Sequence, residues 1–284
     1  MFALTTVFVR YLALLGVTGS LIVSTPRAHA HGDDQQLIDA LTEELAKAPE
    51  ADLFIRRGEL FRHHQEWGKA ESDFNAAARL EPKLAVVDYF RARLLLEAGE
   101  MEKAQPFIER YIASTPDEAE GWFLRGDILG ALGRHDAGAL DYAAGLDRTP
   151  RPRPEHYLRR AKFLAAAPQP DPARVLAALD EGIARVGAVI SLVEQAITIE
   201  LEQRNFTGAL QRIEVAMKHS PRRETWLVRR GDVLVKSGQV DAAVASYRAA
   251  LSAIDELPPR YRETVPVEKL QRDARNALYR LSAK

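Results

Sequence analysis

The sequence predicts an all-α solenoid of about six helix pairs, closed by a capping helix at each end. Three observations carry that expectation. A helix–turn–helix unit begins at Ala51 and recurs with a period of 34 residues. Pro82, Pro116 and Pro150 stand one period apart, each where a second helix should stop. Between them the apolar residues keep helical spacing, and no segment alternates with the period of a strand.

The unit itself reads ADLFIRRGELFRHHQEWGKAESDFNAAARLEP. With Ala51 as position 1, Phe54, Gly58, Phe61, Ala70, Phe74, Ala77 and Pro82 fall at positions 4, 8, 11, 20, 24, 27 and 32. The next unit places Ala92, Leu95, Ala104, Ile108 and Pro116 at positions 8, 11, 20, 24 and 32. The third places Trp122, Gly126, Leu129, Gly138, Tyr142 and Pro150 at positions 4, 8, 11, 20, 24 and 32. Small residues thus recur where two helices must touch, with large ones facing them. The pattern resembles the tetratricopeptide repeat (TPR) family. The resemblance covers about Ala51 to Asp255 and implies a right-handed superhelical sweep with a concave wall built by the first helices.

In chain order, residues 1–30 read as an export signal: Arg10 as the positive flank, an apolar run from Tyr11 to Val23, and a small-x-small site at Ala28-His29-Ala30. The run is too short to cross a bilayer, which takes about 20 apolar residues. Cleavage after Ala30 would remove Arg10 and Arg27 and no acid, moving the net charge from −1 to −3. A periplasmic or secreted protein of a bacterial envelope is expected. Residues 31–50 should hold a capping helix from Asp33 to Ala48, with Leu37, Ile38, Leu41 and Leu45 on its inner face.

Six repeats follow, over 51–84, 85–118, 119–153, 154–189, 190–223 and 224–256. Gly99, Gly133 and the His64-Gln65-Glu66 step mark turns between paired helices. Arg151-Pro152-Arg153-Pro154 is a rigid extended linker before the fourth repeat, whose inner turn is broken by prolines and capped by Asp171. Ile197, Ala209, Ile213, Ala216 and Pro221 restore the register in the fifth, and Gly231, Ala243 and Tyr247 carry the sixth. Pro258-Pro259 breaks the chain, and residues 257–284 end in a capping helix from about Val267 to Ser282.

The composition narrows function further. Charges are balanced at −1 overall and evenly mixed, so nothing suggests a nucleic-acid surface. With no cysteine, disulfides, thiolate metal sites and cysteine nucleophiles are excluded. Phosphate loops, HExxH and GxSxG are missing, and a non-enzymatic protein without cofactor is expected. His63 and His64 are adjacent, so on a helix they diverge by about 100°. His31 carries the rival reading: if cleavage follows Ala30, its imidazole and the new α-amino group would chelate copper, as in an accessory metal-handling protein. Arginine recurs at position 7 (Arg57, Arg91, Arg125, Arg160, Arg230), read as pairing with second-helix acids such as Asp73 and Asp141 rather than as a ligand ladder.

The family resemblance implies that positions 2, 5, 9, 12 and 13 face the groove, where a protein or peptide partner from the envelope would lie. Those positions supply Arg62, His63, Tyr89, Arg93, Glu97, Phe123, Asp127, Lys162, Glu194, Asp232 and Lys236 as candidate contacts. Tyr89 and Phe123 beside Arg62 and Arg93 offer apolar anchoring next to positive charge. The family's carboxylate clamp relies on an asparagine, and no first helix here carries one.

Overall fold

The computed structural model describes residues 28–282, with side chains from Asp34 onward. The expected signal therefore lies outside the described residues except for Ala28–Ala30, and so does the His31 side chain. Every element among the described residues is helical. The first, α1 (Ala28–Lys47), begins five residues before the expected Asp33.

Six helix pairs follow: α2 (Ala51–His63) with α3 (Trp67–Leu80), α4 (Val86–Glu97) with α5 (Met101–Ser114), and α6 (Ala119–Ala131) with α7 (His135–Arg148). Then come α8 (Pro154–Ala166) with α9 (Pro172–Val186), α10 (Ile190–Glu202) with α11 (Phe206–His219), and α12 (Glu224–Lys236) with α13 (Val240–Asp255). A single turn, α14 (Pro259–Arg262), precedes α15 (Val265–Ser282), two residues longer at its start than expected. None of the described helices is long and apolar enough to cross a membrane.

The chain divides into two compact units between Arg151 and Pro152, inside the Pro-rich linker that precedes the fourth repeat. In the front unit Ile55, Phe74, Phe90, Ile108, Tyr111 and Ile128 form one buried core. In the rear unit Ile197, Ile213 and Trp226 form one cluster, and Leu234, Tyr247 and Ala274 of the closing helix another. Each such large side chain contributes roughly 1.5–3 kcal/mol by leaving water.

The small positions of the repeat are small because an aromatic ring occupies the space. A Cβ added at Gly58 would stand 2.7 Å from the Phe74 ring, at Gly126 2.7 Å from Tyr142, and at Gly231 2.6 Å from Tyr247. Position 8 thus receives position 24 in three separate pairs. The fourth pair inverts the arrangement: Tyr157 on its first helix presses on Gly182 of its second, at 2.7 Å from the Cβ site. In five of the six pairs position 15 ends the inner turn in a left-handed conformation, supplied by Gly99, Gly133 and Gly238 but also by Gln65 and Arg204. In α9 the expected cap is present: Asp171 Oδ1 accepts the Ala173 N–H at 2.9 Å.

Candidate functional site

Of the position-7 arginines, Arg57, Arg125 and Arg160 bond an acid on the second helix of their own pair, whereas Arg91 and Arg230 bond a residue on the second helix of the preceding pair. Arg57 makes a two-pronged bond to Asp73 at 2.7 and 2.8 Å, and Arg125 the same to Asp141 at 2.7 Å on both prongs. In the second pair the facing residue is Phe107, so Arg91 lies over that ring at 5.3 Å and bonds Asn75 instead. Arg160 pairs with Glu181 at 2.6 Å and Arg230 with Glu214 at 3.1 Å.

First helices of consecutive pairs touch in the front unit: α2 meets α4 and α4 meets α6, forming a continuous face. That contact sets the fate of the expected groove residues. Ile55 at position 5 is buried at 1% exposure, and Glu59 and Arg62 lie in the α2–α4 seam at 0% and 4%. Arg62 donates to both Glu59 oxygens, at 2.7 and 3.1 Å, and also to Glu97. Arg93 completes the circuit, 3.5 Å from Glu59 and 3.3 Å from Glu97. Two guanidiniums and two carboxylates close on one another, so the network carries no net charge. The expectation of a spare cation at Arg62 is corrected here: packing of neighbouring first helices buries it, and burial requires that it be paired. Glu59, absent from the selected candidates, sits at the centre.

Tyr89 is half-buried, its ring 5.3 Å from Tyr111 and edge-on to Phe90 at 5.6 Å, and burial pushes its hydroxyl pKa up to about 12. Phe123 is also half-buried and holds a structural place, 5.1 Å from the Tyr142 ring and pressed on Gly145, where a Cβ would stand 2.5 Å away. Asp127 accepts the Tyr142 hydroxyl at 3.0 Å. What the front face leaves open is the outer side of Tyr89, Leu96 and Phe123, with Ala131, His63 and Glu97 exposed around them. The His63 ring is held toward its neutral form, first by the protein around it and then by the Arg62 charge.

In the rear unit, Glu194 pairs with Arg229 at 3.1 Å across α10 and α12. Burial raises the Glu194 pKa, Arg229 opposes that, and Asp232 adds to it. Asp232 accepts the Tyr247 hydroxyl at 2.7 Å, repeating the Asp127–Tyr142 bond at the same two positions. Lys162 and Lys236 are exposed. The fold thus brings Arg62, Arg93 and Glu97 together, joins Glu194 to Arg229, which was not among the candidates, and leaves the two lysines at the surface. Among the described residues no three His, Asp or Glu side chains are grouped as metal ligands, and the copper reading of His31 gains no supporting observation.

A family model described as tetratricopeptide repeat matches residues 89–154 and 195–259, two stretches that each run from one helix pair into the next. This is a tetratricopeptide repeat protein. Solved structures agree on the fold of this TPR protein. One is a tetratricopeptide repeat protein from Parabacteroides merdae, at 18% identity, covering 87% of this chain and 94% of that one, TM-score 0.51. Another is the C-terminal part of a TPR repeat-containing protein from Cytophaga hutchinsonii, at 14% identity over 81% and 96%, TM-score 0.55. A third is pilF of Pseudomonas aeruginosa, at 14% identity over 78% and 97%, TM-score 0.50. No curated protein matches the sequence.

Proposed function

We propose that this TPR protein is an exported, non-enzymatic adaptor that holds a protein or peptide partner on the first-helix face of its front unit. One observation carries the reading. The first helices α2, α4 and α6 stand side by side and leave Tyr89, Leu96 and Phe123 half-open inside a frame of mutually paired charges. Half-open apolar side chains on a rigid wall give a partner something to bury, and charges already satisfied within the wall hold its shape without needing the partner. Export rests on Arg10, the Tyr11–Val23 run and Ala28-His29-Ala30, which would place the partner in the periplasm or outside the cell.

Ala131, exposed near the end of α6, provides the test because its side chain can be enlarged without touching the core. Ala131→Arg should abolish capture of the partner from envelope extract at unchanged helical circular dichroism. Lys103→Glu, on the exposed side of a second helix, should capture as the parent does. Equal capture by all three proteins would remove the first-helix face from the account.

A further inference from the structure

A second recessed site lies away from the first-helix face, in the front unit. A cavity of about 480 Å³ opens between the C-terminal ends of α3 and α5, with the start of α4 as its floor. That volume is within the range of ligand pockets, roughly 300–1,000 Å³. Pro82, Leu84, Val87 and Ala113 give the cavity an apolar lining. Arg91 and Arg110 stand one turn from Val87 and Ala113 on their own helices and line the same cavity.

These two arginines share a single close carboxylate. Arg110 takes both oxygens of Asp88, at 2.9 Å each. Arg91 is left 3.8 Å from the same group, outside hydrogen-bond range, with neutral Asn75 as its bonded partner and no acceptor at its buried Nε. The Arg91 guanidinium pKa is lowered first by burial; Asp88 and Glu71 work against that, Arg110 and Arg79 with it. Both guanidiniums also lie over the Phe107 ring, at 5.3 and 4.7 Å, so their planes are held in place. The cavity wall as a whole sets Lys83, Arg91 and Arg110 against Glu81 and Asp88, three cations to two anions, a surplus of one positive charge.

The comparison within this chain is a cavity of about 280 Å³ in the rear unit, which Arg212 also lines. There Nε goes to Glu200 at 3.0 Å and the two terminal nitrogens go to Asp180, so the fork is filled by the protein's own acids. In the front cavity the second acid, Glu81, is not paired with either arginine, and both lie against Asp88 alone.

We propose that the cavity between α3, α4 and α5 binds a peptide carboxylate carried next to an apolar side chain, with Arg91 and Arg110 receiving the carboxylate and the Pro82–Val87 wall the side chain. A guanidinium fork suits a planar carboxylate, and a monoanion matches the surplus of one charge where a phosphate dianion would exceed it. The exposed Arg110–Asp88 pair is of the kind that yields readily to a competing acid. The site is independent of the first-helix face, so either can fail alone.

The test follows the arginine Nε–H resonances of the full chain by NMR during titration with three peptides. These are acetyl-Ala-Val-Leu-Ala with a free C-terminus, the same peptide as its C-terminal amide, and acetyl-Ala-Val-Leu-Asp amide. The first, the third or both should move the Arg91 Nε–H resonance saturably, the neutral amide should not, and the Arg212 resonance should stay in place as the internal reference. Which acidic peptide binds tells a terminal from a side-chain carboxylate. Arg91→Gln and Arg110→Gln should each weaken binding at least tenfold. Should Arg91→Gln lose its helical signal, Arg110→Gln decides, because that side chain is 54% exposed and its loss spares the fold. Equal response to the neutral amide, no saturable response, tighter binding of inorganic phosphate, or unchanged binding by Arg110→Gln would each overturn the proposal.

Discussion

The first-helix faces of the two units solve the same problem differently. In both, acids at position 9 lie where helices crowd together. Asp127 and Asp232 each take a tyrosine hydroxyl from position 24. Glu59 faces Phe74 at that place, which has no hydroxyl to give, and its carboxylate is met by Arg62 and Arg93. The front face therefore carries a buried four-charge circuit between α2 and α4 beside the local Asp127–Tyr142 bond, and the rear first-helix face carries the local Asp232–Tyr247 bond and a partly exposed ion pair between first helices, Glu194 with Arg229. A tyrosine hydroxyl donated to an aspartate ties a pair to itself. A shared ionic network ties one pair to the next.

That contrast is open to measurement, the largest effect first. Glu59→Ala leaves Arg62 buried with only exposed Glu97 in reach, and should cost about 3–5 kcal/mol of stability in urea unfolding. Arg229→Ala breaks a pair that solvent reaches on both sides, and should cost about 0–1 kcal/mol. Similar losses would dissolve the distinction between the units.

Next is a pH dependence seated in the rear unit. His156, in the first turn of α8, accepts the Arg153 N–H at Nδ1 over 3.4 Å. Burial first, then the Arg153 charge, holds its pKa down at about 4. A proton there would remove the acceptor and set a positive charge on the helix's positive end. With the folded pKa below the unfolded value of about 6.5, the stability it supplies is complete above that value and is lost as pH falls toward 4. The loss should be about 1–2 kcal/mol after allowance for solvent screening of a half-buried ring. It should vanish from the acid unfolding profile of His156→Gln. A profile unchanged by that substitution would contradict the assignment.

Smallest are Tyr142→Phe and Tyr247→Phe, each keeping the ring against its glycine and deleting one hydroxyl. About 1 kcal/mol apiece is expected from chemical denaturation. Matching values would show that the two tyrosine–aspartate bonds are equivalent; a cost near that of Glu59→Ala would show that they are not local.

Much of this was legible in the sequence because it is periodic. The 34-residue spacing located the helix pairs, and Gly58, Gly126 and Gly231 marked close approach before any ring was seen to fill it. Arg57–Asp73 and Arg125–Asp141 were readable too, since both members sit at fixed positions of one repeat. The candidate face was read less well for a matching reason. Whether a position-9 or position-12 side chain is exposed depends on how closely the next repeat's first helix approaches, and one repeat's sequence does not state that distance. Position alone offers Arg62 as positive charge and Phe123 as an apolar anchor, whereas Arg62 is buried and paired and Gly145 is shaped around Phe123. Arg204 gave no turn signal, because left-handed backbone at a non-glycine position has no compositional mark. The division after Arg151 was visible only as a proline-rich linker.

The measurement that bears most directly on the account is site-specific photo-crosslinking in cells. A photoreactive side chain would be placed in turn at Ala131 on the front first-helix face, at Lys236 on a rear first helix, and at Lys103 on the outside of a second helix. The account predicts one adduct of defined mass from Ala131, with Lys236 and Lys103 giving none or far less. An adduct formed from Lys103 or Lys236 while Ala131 stays uncoupled would contradict it.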